Sequence, residues 1–241
     1  MARLETASSI INAAAVEVGL LPDADPFGSQ DQGFIQLRAL FNSAGRELVT
    51  MFPWQVLQRT FSIATEAGDT GSYELPTDYD RLINQTGWNG QANLPVTGPL
   101  SPQEWAMMVG RNFGQTTLNV SFMFAENEIV LYPSPPPVGL AIDFLYVSRN
   151  WVRETSGMTS DRAVNTDDIA LLPPLLLTKL LIVKYKAAKG IDIAVVSREF
   201  DMTYMSITGG DKGARVLSAS GAVGFPYIGI GNMPFTGFGG V

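Results

Sequence analysis

Apolar residues at spacings of three and four open the chain. Ile10, Ala14 and Val18 form one stripe behind Thr6, a residue type that caps helices, and Gly19 supplies a stop. After the loop Leu21–Gly28, the residues Phe34, Leu37, Phe41, Ala44, Leu48 and Met51 repeat at the helical period until Pro53 closes the segment. From Gln55 the period shortens to two. Leu57, Phe61 and Ile63 share one parity, Glu66–Gly71 is a turn, and Ser72–Leu75 reads as the return strand. Val120, Phe122 and Phe124 alternate, Glu126–Glu128 turns the chain into Ile129–Tyr132, and Leu140, Ile142, Phe144 and Tyr146 alternate again. A short helix interrupts these strands, because Ser101-Pro102-Gln103-Glu104 combines a capping box with proline at the first helical position. The helical period resumes over Leu175–Lys189, with Gly190 as its stop. It continues through Ile193, Val196, Phe200, Tyr204 and Ile207.

This order of helices, strands and helices predicts an α+β fold: a helical bundle with an antiparallel β domain inserted between its second and third long helices. The boundaries fall at 1–55 and 151–212 for the two parts of the bundle and at 56–150 for the insertion. Residues 213–241 follow neither period. They form a Gly-rich extended arm carrying Val223, Phe225, Tyr227, Ile228, Ile230, Met233, Phe235 and Phe238, with Arg215 as its one charge. So apolar a stretch differs from an ordinary disordered tail. The entropy of ordering it outweighs what its side chains gain by burial alone. A surface that also offers backbone hydrogen bonds would tip that balance, as in strand addition. These eight apolar residues are therefore the candidate partner-binding set.

Composition narrows the chemistry. Of 241 residues 46% are hydrophobic and 16% charged, against roughly 25% charged in soluble domains, so the surface is poor in charge. A formal charge of −7 argues against a sequence-reading nucleic-acid binder. With no cysteine and no histidine, disulfides, thiolate or imidazole metal sites, cysteine nucleophiles and Ser-His-Asp triads are all excluded. The opening Met1–Thr6 shows no basic region before an apolar run, so no signal peptide is expected. The apolar stretch Ile169–Val183 is broken by Pro173, Pro174 and Lys179. It falls short of the about 20 apolar residues a membrane span needs.

Carboxylates are the remaining candidates for catalysis. Asp78 and Asp80, in a D-x-D pair, could hold a cation or act with Glu104 on a glycan, but a polar loop entering a strand explains them as well. Asp167 and Asp168 could likewise hold a metal, but capping charges ahead of a helix explain them more simply. Asp23, Asp25 and Asp31 lack the ligand pattern of a calcium loop, since Phe27 and Phe34 stand where oxygen ligands belong. Trp88, Trp105 and Tyr79 suggest a carbohydrate-binding face or, more simply, loop packing. Lys179, Lys184, Lys186 and Lys189 solvate and terminate a buried helix. No constellation rises to an active site, and no cofactor or metal is expected.

A family resemblance is carried by residues 127–190. Ile129-Val130-Leu131-Tyr132-Pro133-Ser134-Pro135 followed by Leu140–Ser148 resembles the paired strands of tailed-phage head-to-tail adaptor proteins. Asn150-Trp151-Val152, Asn165-Thr166-Asp167-Asp168 and Leu171-Leu172-Pro173 before a Leu-rich helix ending in Lys189-Gly190 are similar to the same family. So are Tyr73-Glu74-Leu75-Pro76-Thr77-Asp78-Tyr79 and the helix Phe34–Met51, and the likeness spans about residues 5–208. The resemblance implies a non-enzymatic virion protein of the neck or tail, assembled in the host bacterial cytoplasm. It would be a homo-oligomeric ring, typically of twelve copies, joining the portal protein to the tail or nozzle protein. DNA would leave through its channel during ejection without sequence-specific binding. The alternative is a carbohydrate-binding or cell-wall-degrading phage tail protein.

Overall fold

The computed structural model describes residues 4–83, 86–111 and 120–211. Its elements in chain order are β1 (Glu5–Thr6), α1 (Ala7–Glu17), α2 (Gln32–Met51), β2 (Gln58–Ala64), β3 (Ser72–Glu74), β4 (Tyr79–Leu82), β5 (Trp88–Asn89) and β6 (Leu94–Pro95). Then come α3 (Pro102–Arg111), β7 (Ser121–Ala125), β8 (Glu128–Tyr132), β9 (Ala141–Ser148), β10 (Val152–Arg153), β11 (Thr159–Ser160), β12 (Ile169–Ala170), α4 (Pro174–Ala188) and α5 (Ala194–Asp211). The fold is mixed α and antiparallel β, as the periods predict. The partner-binding set Val223, Phe225, Tyr227, Ile228, Ile230, Met233, Phe235 and Phe238 lies outside the described residues.

Local signals place the helices. Thr6 accepts the Ser9 N–H at 3.2 Å and starts α1, while Gly19, at φ +83°, takes the left-handed turn that ends it. Asp31 accepts the Gly33 N–H at 2.6 Å and starts α2. The capping box of α3 forms reciprocally: Glu104 N–H donates to Ser101 Oγ at 3.3 Å, and Ser101 N–H donates to a Glu104 carboxylate oxygen at 2.8 Å. Pro173 and Pro174 begin α4 without a side-chain cap, which needs none where the missing N–H groups would have been unpaired.

Two hydrophobic clusters organise these elements. The first joins Ile10, Ile11 and Ala14 of α1 with Leu37, Phe41 and Leu48 of α2, Leu177 and Leu181 of α4 and Phe200 of α5. Trp151 seals it: its ring meets Phe41 edge-on at 5.3 Å, and its Nε1 donates to the Asp161 carbonyl at 2.9 Å. The second cluster joins Ile63, Leu75, Val96, Phe122, Ile129, Leu131, Ile142 and Phe144. Strands β2 and β9 run through both, pairing without a break from Gln58↔Val147 to Ala64↔Ala141. Leu57 and Val147 belong to the first cluster, and Ile63 and Ile142 to the second.

Two expectations are corrected. Strand β3 does not return on β2; it pairs with β8, which pairs with β7 in a separate sheet. The reason is that the chain leaving β2 is tied elsewhere. Thr65 Oγ1 donates to the Pro137 carbonyl at 2.6 Å, the Thr65 carbonyl accepts the Gly139 N–H at 2.9 Å, and the Gly71 carbonyl accepts the Leu131 N–H at 2.7 Å. Asp168 does not cap a helix, since α4 begins only at Pro174. Its buried carboxylate instead accepts the N–H groups of Val164 and Asn165, both at 2.8 Å, closing a loop. That loop feeds a small sheet ordered β1-β12-β10-β11, in which Glu5↔Ala170 and Val152↔Ala170 pair antiparallel.

Candidate assembly interface

Helix α5 carries two faces. Phe200 is buried, and Val196, Tyr204 and Ile207 pack against the first core beside it. At about 100° per residue, Val195, Met202 and Met205 fall within a quarter of the circumference on the opposite side. They are 69%, 58% and 72% exposed. The helix is well fixed despite this bare stripe. Tyr204 donates its hydroxyl to the Met51 carbonyl at 3.0 Å, Lys179 pairs with Glu199 at 2.9 Å, and Asp211 accepts from Gln55. Scattered exposed apolar residues are ordinary; these three align on one side of a fixed helix as an exposed apolar stripe.

Below the end of α2 an open cleft of about 200 Å³ is lined by Arg46, Val49, Thr50, Asp80, Arg149 and Asp161. Arg46 reaches Asp161 at 3.4 Å, and Arg81 bridges Asp80 at 2.6 Å and the Val49 carbonyl at 2.8 Å. With Arg46 paired to Asp161 and Asp80 to Arg81, this is a seam between helix and sheet. Three of the four lysines of α4 and its C-cap are likewise used locally. Lys184 pairs with Glu47 at 2.5 Å, Lys179 with Glu199, and Lys189 lies over the Tyr185 ring at 5.3 Å.

The acids singled out from the sequence do not converge on a reaction centre. Asp78 accepts hydroxyls from Tyr146 at 2.9 Å and Ser148 at 2.7 Å, latching the turn before β4 onto β9. Burial, and then the bond to Asp78, push the Tyr146 hydroxyl up to about 12. Asp80 is spent on Arg81. Glu104 is held below the ordinary glutamate range by the Ser101 N–H and hydroxyl of its capping box. Asp25 accepts from Thr166, and Asp23 from the Asp25 N–H. Among the described residues no group of three or more acids is placed to share a metal ion. The aromatic trio is also dispersed. Trp105 meets Tyr132 edge-on at 5.8 Å, Tyr79 packs on Phe124 and Tyr146, and Trp88 stands 42% exposed on β5.

Among the described residues no reactive groups gather in a pocket, and helix α5 turns an apolar stripe outward. A family model described as SU10 adaptor protein matches residues 5–217. The chain belongs to this family of phage head-to-tail adaptors. The match takes in every described element from β1 to α5 and stops inside the Gly-rich stretch. No curated protein matches the chain. The adaptor is thus a structural protein of the phage virion, and no described helix is long and apolar enough to cross a membrane. The stripe on α5 was hidden in the sequence because Val195, Met202 and Met205 are as apolar as the buried face. Their seven- and three-residue spacing would have exposed a second stripe had α5 been read as two-sided.

Proposed function

We propose that the adaptor forms a ring, of twelve copies, that joins the portal to the tail or nozzle and lines the DNA exit channel, with no catalytic step. The observation that carries this reading is the exposed apolar stripe of Val195, Met202 and Met205 on an otherwise anchored helix. A neighbouring copy or the portal would cover it, and apolar anchors of this kind dominate protein interfaces. The net charge of −7 suits a wall past which DNA slides, because adhesion to DNA requires cationic surface. In this reading the helices form the body of the ring and residues 56–150 an inserted β domain. The apolar C-terminal arm, through Val223, Phe225, Tyr227, Ile228, Ile230, Met233, Phe235 and Phe238, holds a partner subunit.

The test is native mass measurement of the protein alone and mixed with its portal, for the wild type and Met202→Glu/Met205→Glu. The wild type should be retained by the portal as a ring-sized complex. The double variant should fold with an unchanged circular dichroism spectrum and be lost from the complex. A portal that never retains the wild type at any salt concentration would refute the proposal.

A further inference from the structure

Strand β2 has one partnered edge. The Thr65 N–H donates to the Leu140 carbonyl at 3.0 Å, so alternation directs the backbone groups of Arg59, Phe61 and Ile63 toward β9. On the far side of β9 the Ala141 and Leu145 carbonyls accept from Gly90 and Ile83, which fixes the same alternation independently. The other edge of β2 therefore presents the N–H and C=O groups of Thr60, Ser62 and Ala64. All three residues are exposed, and no described residue bonds to these groups. Local bonds close the run at both ends. The Gln58 N–H donates to the Gln55 carbonyl, and the Gln58 carbonyl accepts from the Arg59 guanidinium at 3.1 Å. Beyond Ala64, the Glu66 N–H donates to the Asp69 carboxylate at 2.8 Å, and the Glu66 carbonyl accepts the Asp69 N–H at 3.4 Å. What stays free is symmetric in sequence about Ser62.

We propose that this edge pairs with the same edge of a second copy of the chain, antiparallel, about a two-fold axis through Ser62. In that register Thr60 lies opposite Ala64 of the second copy and Ser62 opposite its own counterpart, so every free N–H meets a free C=O. A parallel pairing is staggered and would leave an N–H of one copy and a C=O of the other over at the ends. The side chains agree. Phe61, half-buried beside the second core, comes opposite Ile63 of the second copy, an aromatic and a β-branched residue in the closely spaced kind of pair. No charged residue lies between Thr60 and Ala64, so no like charges are opposed. The edge also lacks what normally blunts one: it has no proline, no lysine and no bulge. This contact does not rest on the ring reading. It borders the second core, whereas α5 packs on the first, and a two-fold contact closes on itself at two copies.

Disulfide trapping of the full-length chain tests this, because the chain has no cysteine of its own. Opposed Ser62 residues bring their Cα atoms to about 5.5 Å, inside the range a disulfide spans. Ser62→Cys should therefore oxidise in air to a covalent dimer on a denaturing gel. Thr60→Cys and Ala64→Cys should not crosslink alone, since each stands about 13 Å along the strand from its counterpart. Mixed together, those two proteins should crosslink. Amide exchange of the wild type by NMR gives a second reading. Thr60, Ser62 and Ala64 should gain protection as protein concentration rises, while Phe61 and Ile63, bonded to β9, stay protected throughout. Ser62→Pro removes an outward N–H and should abolish the gain with Phe61 and Ile63 still protected. Met202→Glu/Met205→Glu in the Ser62→Cys background should leave the crosslink in place, so loss of the portal and loss of this pairing are told apart. A Ser62→Cys protein that stays uncrosslinked, or equal crosslinking of all three single variants, would overturn the proposal. So would protection that ignores concentration, which would put a different segment on the edge.

Discussion

Gly45→Ala is the sharpest test of how the helical frame is packed. In the middle of a helix, alanine is ordinarily better than glycine by about 0.5–1 kcal/mol. Here a Cβ on Gly45 would overlap Cζ2, Cε2 and Cη2 of the fully buried Trp151 ring. The ring is pinned on both sides, by Phe41 at 5.3 Å and by the hydrogen bond from its Nε1 to the Asp161 carbonyl. Overpacking a tight core costs about 1–3 kcal/mol, and a displaced indole forfeits a hydrogen bond of about 1 kcal/mol. Less the helix gain, the net loss is about 1–3.5 kcal/mol. Urea titration followed by circular dichroism should show a lower midpoint with an unchanged slope. Gly209→Ala, where an added Cβ meets nothing within 4 Å, should hold or raise the midpoint. A Gly45→Ala protein as stable as the wild type would refute the close approach of α2 to Trp151.

Three further outcomes follow from residues described above. Asp168→Ala removes a fully buried carboxylate together with its bonds to the Val164 and Asn165 N–H groups. It should cost about 2–4 kcal/mol, and Asp168→Asn, which keeps an acceptor, should cost less by the same titration. Tyr146 is raised above its unfolded value, so its contribution is complete below pH 10 and disappears as pH rises toward about 12. The stability gap between wild type and Tyr146→Phe should therefore be wide at pH 9 and narrow at pH 11.5. Removing residues Gly213–Val241 should leave the circular dichroism spectrum in place and reduce portal retention in native mass measurements, because every described residue of both cores precedes Gly213.

The long elements were legible because one face of each is buried. The stripe from Phe34 to Leu48 and the alternation from Ile142 to Tyr146 are burial written as period. Caps were legible for a similar reason, since Thr6 and the Ser101–Glu104 pair act on neighbours within the same turn. Pairing partners were not. Whether β3 joins β2 or β8 depends on what Thr65 and Gly71 bind far along the chain, and a single strand's pattern says nothing of that. Two-residue strands such as β1 and β12 are too short to show any period. Asp168 was misplaced because an acid near a helix start fits capping and loop closure equally until its acceptor bonds are seen. The exposed stripe on α5 was invisible because apolar residues look the same whether a core covers them or solvent meets them.

The pairing of β2 with β9 has a mechanical corollary. A single hydrogen-bonded ladder, seven rungs without a bulge, begins among the helices' side chains at Leu57 and Val147 and ends among the sheets' at Ile63 and Ile142. It acts as a strut in place of a joint. Thrust arriving at the sheets is loaded along covalent backbone and shear-aligned hydrogen bonds into the helices, so the protein shifts as a body before it bends.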